Sequence, residues 1–263
     1  MPAKILVFVP AYNCAGQIGR VLDQLAPPWV RDLIAKVIVI DNRSSDGTVG
    51  VVRSRIAARG DGFVALLQNE QNYGLGGSHK VAFSYAQANG FDFLIVLHGD
   101  DQGTLADLRP SLEDGSFAAV DCLLGSRFMA GSKTPGYSKL RLWGNHVFNA
   151  LYSACLFGRV RDLGAGLNLY RVSALARLDY ARYPDDLTFN CVLLAAQMIA
   201  GLKIRFVPIS WREDDQVSNV RLVRQSFRTL KIALRALVRR RSFAGLEHRR
   251  VVHSVYSWTQ IDG

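Results

Sequence analysis

Phe93-Leu-Ile-Val-Leu-His-Gly-Asp-Asp-Gln102 joins five apolar residues, with no polar position among them, to an abrupt polar cluster. An apolar run of that length without alternation reads as a parallel strand buried on both faces. The same grammar recurs upstream. Lys4-Ile-Leu-Val-Phe-Val9 ends at Pro10, Lys36-Val-Ile-Val-Ile40 ends at Asp41, and Val64-Ala-Leu-Leu67 leads to the glycine-rich Asn72-Tyr-Gly-Leu-Gly-Gly-Ser78. Helical periodicity fills the gaps. Ile18, Val21, Leu22 and Leu25 share a face and are stopped by Pro27 and Pro28; Thr48 opens a second helix carrying Val51, Val52 and Ile56; a third is predicted from about His79 to Asn89. Strand and helix in strict alternation specify an α/β fold with a mostly parallel, doubly wound sheet. Ligands of such sheets bind beyond the carboxyl ends of the strands, so Tyr12-Asn13, Asp41-Asn42 and His98 to Gln102 are predicted to converge.

The second half is less regular. Cys122-Leu-Leu-Gly-Ser-Arg127 reads as a short strand and turn, and Leu142 to Leu156 as a helix. Gly164 to Tyr170 reads as a turn into a strand, Leu187 to Ala200 as a helix and Ile204 to Trp211 as a final strand. No internal repeat or linker separates a second domain.

A length of 263 residues with 49% hydrophobic and 21% charged content suits one large folded unit, with or without a small appendage. The longest weakly polar run, Leu187 to Leu202, is shorter than the ~20 apolar residues that span a bilayer. Met1-Pro-Ala-Lys4 lacks the arrangement of a signal peptide. Cys14, Cys122, Cys155 and Cys191 are widely spaced, which predicts reduced thiols in or near the core and a cytoplasmic compartment.

A net charge of +10 implies anionic partners. The excess is concentrated late: residues 216–246 contain no Asp or Glu, and Arg221, Arg224, Arg228, Lys231 and Arg235 recur at spacings of 3 and 4 before Arg239-Arg-Arg241. Val223, Phe227, Leu230, Leu234 and Leu237 follow the same rhythm on another face. This predicts an amphipathic helix suited to an anionic membrane surface. The alternative is a helix that packs its apolar stripe on the domain and leaves its cations in water. No nucleic-acid partner is expected, because no reader module accompanies the charge. The expected division is therefore an α/β domain over 1–215 and a basic helical extension over 216–263.

Val9-Pro-Ala-Tyr-Asn13, Val39-Ile-Asp-Asn-Arg-Ser-Ser-Asp-Gly-Thr48, Asn72-Tyr-Gly-Leu-Gly76 and Leu97-His-Gly-Asp-Asp-Gln102 stand in an order and spacing that resembles family 2 glycosyltransferases. Gly125-Ser-Arg-Phe128, Asp162-Leu-Gly-Ala-Gly-Leu-Asn-Leu-Tyr170 and Val207-Pro-Ile209 extend the likeness to about residue 221, closest to the dolichol- and polyprenyl-phosphate sugar synthases. The resemblance implies a GT-A fold and an inverting transferase that moves a sugar from an NDP-sugar, with Mg2+ or Mn2+ as cofactor. It implies an acceptor that is a polyprenyl phosphate or other lipid at the cytoplasmic membrane face, with a saccharide hydroxyl as the alternative. A catalytically inactive nucleotide-binding protein is the reading from a different class.

Residue by residue, the resemblance puts Pro10, Tyr12 and Asn13 beside the nucleotide and Asp41 on its base or ribose, with Gly74 and Gly76 letting the backbone approach it. Asp100 and Gln102 match metal positions. His98 stands where the first Asp of an Asp-x-Asp motif is usual; it is open whether it ligates metal, contacts phosphate, or does neither, with a nucleotide or phosphate contact favoured. Asp101 is a further candidate ligand that faces away if strand geometry persists. Arg127, Lys139 and Arg141 match basic acceptor-side positions, and Asp162 is the candidate base or acceptor-orienting residue. Arg212, Ser218 and Arg221 match a loop that closes over the diphosphate, although Gln216 and Asn219 depart from its usual residues. Val192 stands where relatives carry Glu. Asp46 reads first as a turn-former, Asn145 as structural, and Lys80 as either a phosphate contact or a solvated lysine.

Overall fold

The computed structural model describes residues 3–213 and 222–261. The four apolar runs of the first hundred residues form β1 (Ile5–Ala11), β2 (Lys36–Asp41), β3 (Val64–Asn69) and β4 (Phe93–Leu97). They pair in parallel, β2 and β4 flanking β1 and β3 lying outside β2. Between them run α1 (Ala15–Asp23), α2 (Pro28–Leu33), α3 (Thr48–Arg59) and α4 (Gly74–Ala88). The third of the predicted helices thus begins five residues early, at the glycines themselves, because Asn72 Oδ1 accepts from Gly74 N and orders the turn that starts it.

The chain continues through α5 (Arg109–Glu113), β5 (Cys122–Ser126), α6 (Lys139–Leu156), β6 (Leu167–Arg171), α7 (Val172–Leu175), α8 (Phe189–Ile199) and β7 (Ile204–Pro208). α6 starts three residues before the apolar pattern does, since Ser138 Oγ accepts from Arg141 N and caps it. β7 stops at Pro208, and Ser210 and Trp211 make only isolated bridges to Lys133 and Gly103. α9 (Leu222–Val238) and β8 (Trp258–Gln260) complete the order.

The sheet runs β7-β5-β6-β4-β1-β2-β3-β8. β5 and β7 are parallel, whereas β6 is antiparallel to both its neighbours and β8 to β3. Alternation along β1 sends Leu6 and Phe8 to one face and Ile5, Val7 and Val9 to the other. α4, α6, α8 and α9 cover the first face, and α1, α2, α3 and α5 the second. Each fully buried Leu, Val or Phe contributes ~1.5–3 kcal/mol of transfer free energy.

The segment set apart by its charge takes part in this same packing. Ala233 and Ala236 of α9 and Phe243 beyond it are buried in the first core, and β8 extends the sheet at β3. The buried face of α9 is Thr229, Ala233 and Ala236; Phe227, Leu234 and Leu237 are exposed. Of the apolar stripe read from the sequence, Phe227, Leu234 and Leu237 thus lie outside and Leu230 is half-buried, while Ala233, Ala236 and the partly buried Ile232 seat the helix on the domain. No described helix is long and apolar enough to cross a membrane.

Candidate functional site: two chambers at one sheet edge

Adjacent strands lie ~4.8 Å apart, so residues that end β2 and β4 stand on either side of β1 at its carboxyl end. The backbone fixes this: Asn42 N donates to Ala11 O at 2.9 Å, and Gly99 N donates to Pro10 O at 3.1 Å. Asp41 and Asp100 therefore share one edge, as a single cradle requires.

On the β2 side, Asp41 is fully buried and accepts from Ser44 N and, at 2.9 Å, from Gln68 Nε2. Asn42 Oδ1 accepts from Asn69 Nδ2 and Tyr73 N, and its Nδ2 donates to Asn72 Oδ1. These bonds tie the Asp41-Asn42 turn to the glycine turn. Tyr12 is half exposed above it, and Asn13 sits at φ 48° with Oδ1 accepting from Ser45 N at 2.8 Å. Asp46 accepts from Thr48 N two residues on, closing a turn just ahead of α3, and from Ala15 N, the turn-forming role read from its sequence.

Gly74 and Gly76 leave no room for a side chain. A Cβ on Gly74 would lie 2.3 Å from Asp185 O, and one on Gly76 would lie 2.2 Å from Pro184 O. Their smallness is used to seat the turn on residues 184–185, with Gly76 N donating to Asp185 O at 2.8 Å. Lys80 is neither a solvated lysine nor aimed at the cradle. It is buried, with Nζ donating to Asp185 Oδ1 and Tyr183 O at 2.6 Å each.

On the β4 side, His98 N donates to Gly166 O, and its ring lies edge-on to Trp211 at 6.4 Å. Burial, helped by the positive charge of Arg127, lowers the His98 pKa to about 4, so the imidazole is neutral at pH 7. Its Nδ1 is 4.0 Å from Asp100 Oδ2, and its Nε2 is buried without a hydrogen-bond partner among the described residues. Gln102 Nε2 donates to Arg212 O at 2.9 Å. Asp101 turns away at φ 59° and accepts from Arg20 Nε, Gln24 Nε2 and Arg212 Nη2. It is an anchor for α1 and for Arg212, whose guanidinium is thereby turned toward Asp101.

The remaining groups are those that could hold a divalent cation. One carboxylate (Asp100), one neutral imidazole nitrogen on the Asp100 side (His98) and one amide oxygen (Gln102) form a sparse set of the kind completed by diphosphate oxygens. Among the described residues no group of three or more His, Cys, Asp or Glu side chains gathers to hold a metal ion, here or elsewhere, so a cation at this edge would depend on the diphosphate for further ligands.

Beyond β5 lies a second chamber. Arg127 Nε and Nη2 grip Asp162 at 2.8 and 2.7 Å, and Asp162 also accepts from Arg127 N and Gly164 N. The Asp162 side chain is wholly buried. With four donors on two oxygens it is a fixture for Arg127, a geometry that serves orientation and leaves no lone pair placed for proton abstraction. The Arg127 guanidinium stacks over Phe128, Tyr137 and Trp211, and Trp211 in turn meets His98, which links the two chambers. Arg141 pairs with Glu213 at 2.8 Å, and Lys139 is exposed at the start of α6. Ser218 and Arg221 lie outside the described residues.

A cavity of about 700 Å3 opens from Arg127 between α6 and α9, walled by Trp143, Phe148, Leu163, Leu187, Phe227 and Leu230 among others. At its mouth Leu140, Trp143 and Phe227 are 78%, 67% and 69% exposed. The apolar wall was missed in the sequence reading. Its signal was present in Leu140, Trp143 and Val147 at helical spacing, but periodicity does not tell an outward face from an inward one.

Comparison with known proteins fits this geometry. The profile of glycosyl transferase family 2 matches residues 6–179. A polyprenol monophosphomannose synthase from Mycolicibacterium smegmatis is 25% identical over 214 residues, covering 80% of this chain and 78% of the relative. A dolichyl-phosphate β-glucosyltransferase from Dictyostelium discoideum is 24% identical over 224 residues, covering 80% of this chain and 66% of the relative. The crystal structure of glucosyl-3-phosphoglycerate synthase from Mycobacterium tuberculosis, in complex with Mn2+, UDP and glucosyl-3-phosphoglycerate, superposes with a TM-score of 0.63 at 17% identity. That superposition covers 98% of this chain and 87% of the other, and shows a common fold.

Proposed function

This chain belongs to glycosyl transferase family 2, and from that premise we propose that it transfers a sugar from an NDP-sugar to a lipid phosphate at the cytoplasmic face of a membrane. The observation that carries the acceptor half is the cavity: apolar walls lead from exposed apolar residues to a buried, fixed guanidinium. An amphiphile with a phosphate head and a hydrocarbon tail matches both ends of it. Both curated relatives bear names of polyprenyl- or dolichyl-phosphate sugar transferases, which supports the same choice.

The donor reading rests on the β1 edge. Pro10, Tyr12, Asn13, Asp41 and the glycine turn would hold the nucleotide, and Asp100, Gln102 and His98 the divalent cation. Bound there, Mg2+ or Mn2+ would offset negative charge on the diphosphate; Mn2+ accompanies UDP in the solved neighbour. An acceptor phosphate oxygen would attack the anomeric carbon in line as the bond to the NDP breaks, inverting that centre. A phosphate acceptor is already ionised and needs no base, in keeping with an Asp162 saturated by four donors. A saccharide hydroxyl would need one.

The same face supports membrane association as part of this reading. Phe227, Leu234, Leu237 and Val238 of α9 are exposed next to Lys231, Arg235 and Arg239, which combines apolar insertion with attraction to anionic lipid. The test is transfer of label from a panel of NDP-sugars, with Mn2+, to polyprenyl phosphate. Label in the organic phase is the expected result; label only in a saccharide or in water overturns the lipid-phosphate reading.

A further inference from the structure

The Lys80 ammonium is one of the most deeply buried charges in the molecule, with its side chain 2% exposed, yet it touches neither chamber. It gathers three segments that are distant in sequence. Its Nζ donates to Asp185 Oδ1, to Tyr183 O and, at 2.9 Å, to the hydroxyl of Tyr256. Tyr256 OH donates to the same Asp185 Oδ1 at 2.8 Å, and the ammonium lies 4.7 Å from the Tyr256 ring centre.

Asp185 is also the residue on which the glycine turn rests, through Gly76 N to Asp185 O and through the absence of a Cβ at Gly74. The tail holds the turn from its other side. Ser257 N donates to Tyr73 OH, Ser257 O accepts from Glu70 N, and the Tyr73 ring packs edge-on against His253 and Tyr256 at 5.1 Å each. Tyr73 immediately precedes Gly74. The neighbouring Asp186 is gripped by Arg228 of α9, so both parts of the C-terminal region converge on one short loop.

We propose that Lys80, Asp185 and Tyr256 form a clamp by which the C-terminal tail positions the Gly74–Gly76 turn for the nucleoside diphosphate. The role rests on the donor reading given above. Lys80 and Tyr256 are positioning residues: they act through Asp185 and Tyr73 and touch no reactant. Gly74 and Gly76 have no side chains to fix them, so beyond the bond from Gly74 N to Asn72 Oδ1 the rigidity of the turn comes from what it sits on.

Tyr256→Phe removes a single hydroxyl, and Lys80→Met removes the charge at similar length. Two readouts separate the clamp from the donor reading. In ligand-free protein, amide hydrogen exchange over residues 72–78 is expected to accelerate at least tenfold in either variant while β1 and α1 keep their protection. In titrations with UDP and GDP plus Mn2+, the variants are expected to bind about tenfold more weakly or worse, with kcat at saturating donor largely kept. Ile34→Val, a core change on the opposite sheet face, serves as the stability control, and is expected to lower Tm without altering either readout. Unchanged exchange over 72–78 in Tyr256→Phe, or an equal loss of affinity in Ile34→Val, overturns the clamp. If wild-type protein binds neither nucleotide, the donor reading fails, and the exchange measurement still decides the clamp.

Discussion

Arg127 and Asp162 show how a buried pair can fix the orientation of a guanidinium without being a stability device. Each is expensive to bury alone, and the bidentate geometry with two further N–H donors is what makes the pair tolerable. Arg127→Ala leaves Asp162 as an uncompensated buried charge; we expect a loss of ~3–5 kcal/mol in denaturant unfolding and at least a hundredfold loss of transfer. Arg127→Lys keeps the charge but lacks the planar fork, so it is expected to recover stability in part and activity hardly at all. A lysine variant with near-normal transfer would remove Arg127 from the acceptor site. The buried histidines make a second prediction. Burial lowers the pKa of His79 to about 3 and that of His98 to about 4, against an ordinary 6.5. Below pH 6.5 the unfolded chain takes up protons that these folded-state rings refuse. Stability is therefore full above pH 6.5 and falls as pH drops toward 4, by ~1.4 kcal/mol per pH unit for each ring. Chemical denaturation at pH 7.0, 6.0 and 5.0 checks the slope, and His79→Gln should flatten it by one proton.

At the level of elements, α4 begins where two glycines meet the backbone of residues 184–185, and the fit is too close to relax. Gly76→Ala places a Cβ against Pro184 O and Phe189 Cβ. Expected outcomes are destabilisation by ~2 kcal/mol or more and loss of nucleotide affinity, measured by thermal unfolding and by titration with UDP and GDP. A stable Gly76→Ala protein with normal nucleotide binding would mean that the turn does not sit on the loop as described. α6 and α9 pose the opposite case, since Leu140, Trp143 and Val147 of the one and Phe227, Leu234 and Leu237 of the other face outward. Trp143→Ser combined with Phe227→Ser should leave Tm within a few degrees, because both side chains are mostly exposed, while reducing co-sedimentation with anionic vesicles severalfold. An unaltered partition would sink the membrane-facing assignment of this surface.

Across the whole molecule, charge and apolar surface are laid out along one direction. The β1 edge, Arg127, the cavity and the exposed side of α6 and α9 succeed one another, so under the proposed function an amphiphile entering between the helices would present its head group toward the donor. A net charge of +10, with its excess in the late region, adds long-range attraction to anionic lipid. Vesicle binding is then expected to fall as salt rises from 50 to ~500 mM, but to retain an apolar component at the top of that range. Complete insensitivity to salt would contradict a role for the basic helix.

Much of this was legible without coordinates. The runs ending at Pro10, Asp41 and Leu97 report a parallel sheet because a strand covered on both faces has no polar position to spare, and topology then obliges their polar ends to share an edge. The turn role of Asp46 was legible too, as a property of neighbours in sequence. What needed the tertiary structure were relations among residues far apart in the chain. Lys80 resembles any helix lysine until Asp185 and Tyr256, 105 and 176 positions away, are found around its ammonium. Asp162 resembles a general base until its lone pairs are seen to be occupied. The apolar stripe of α9 is visible as a pattern, but whether such a stripe faces a core or a solvent is decided by the space between helices, and here Ala233 and Ala236 take the inner side. Local sequence encodes period and turn; the direction in which a face points, and the company a buried charge keeps, are set only when distant segments pack.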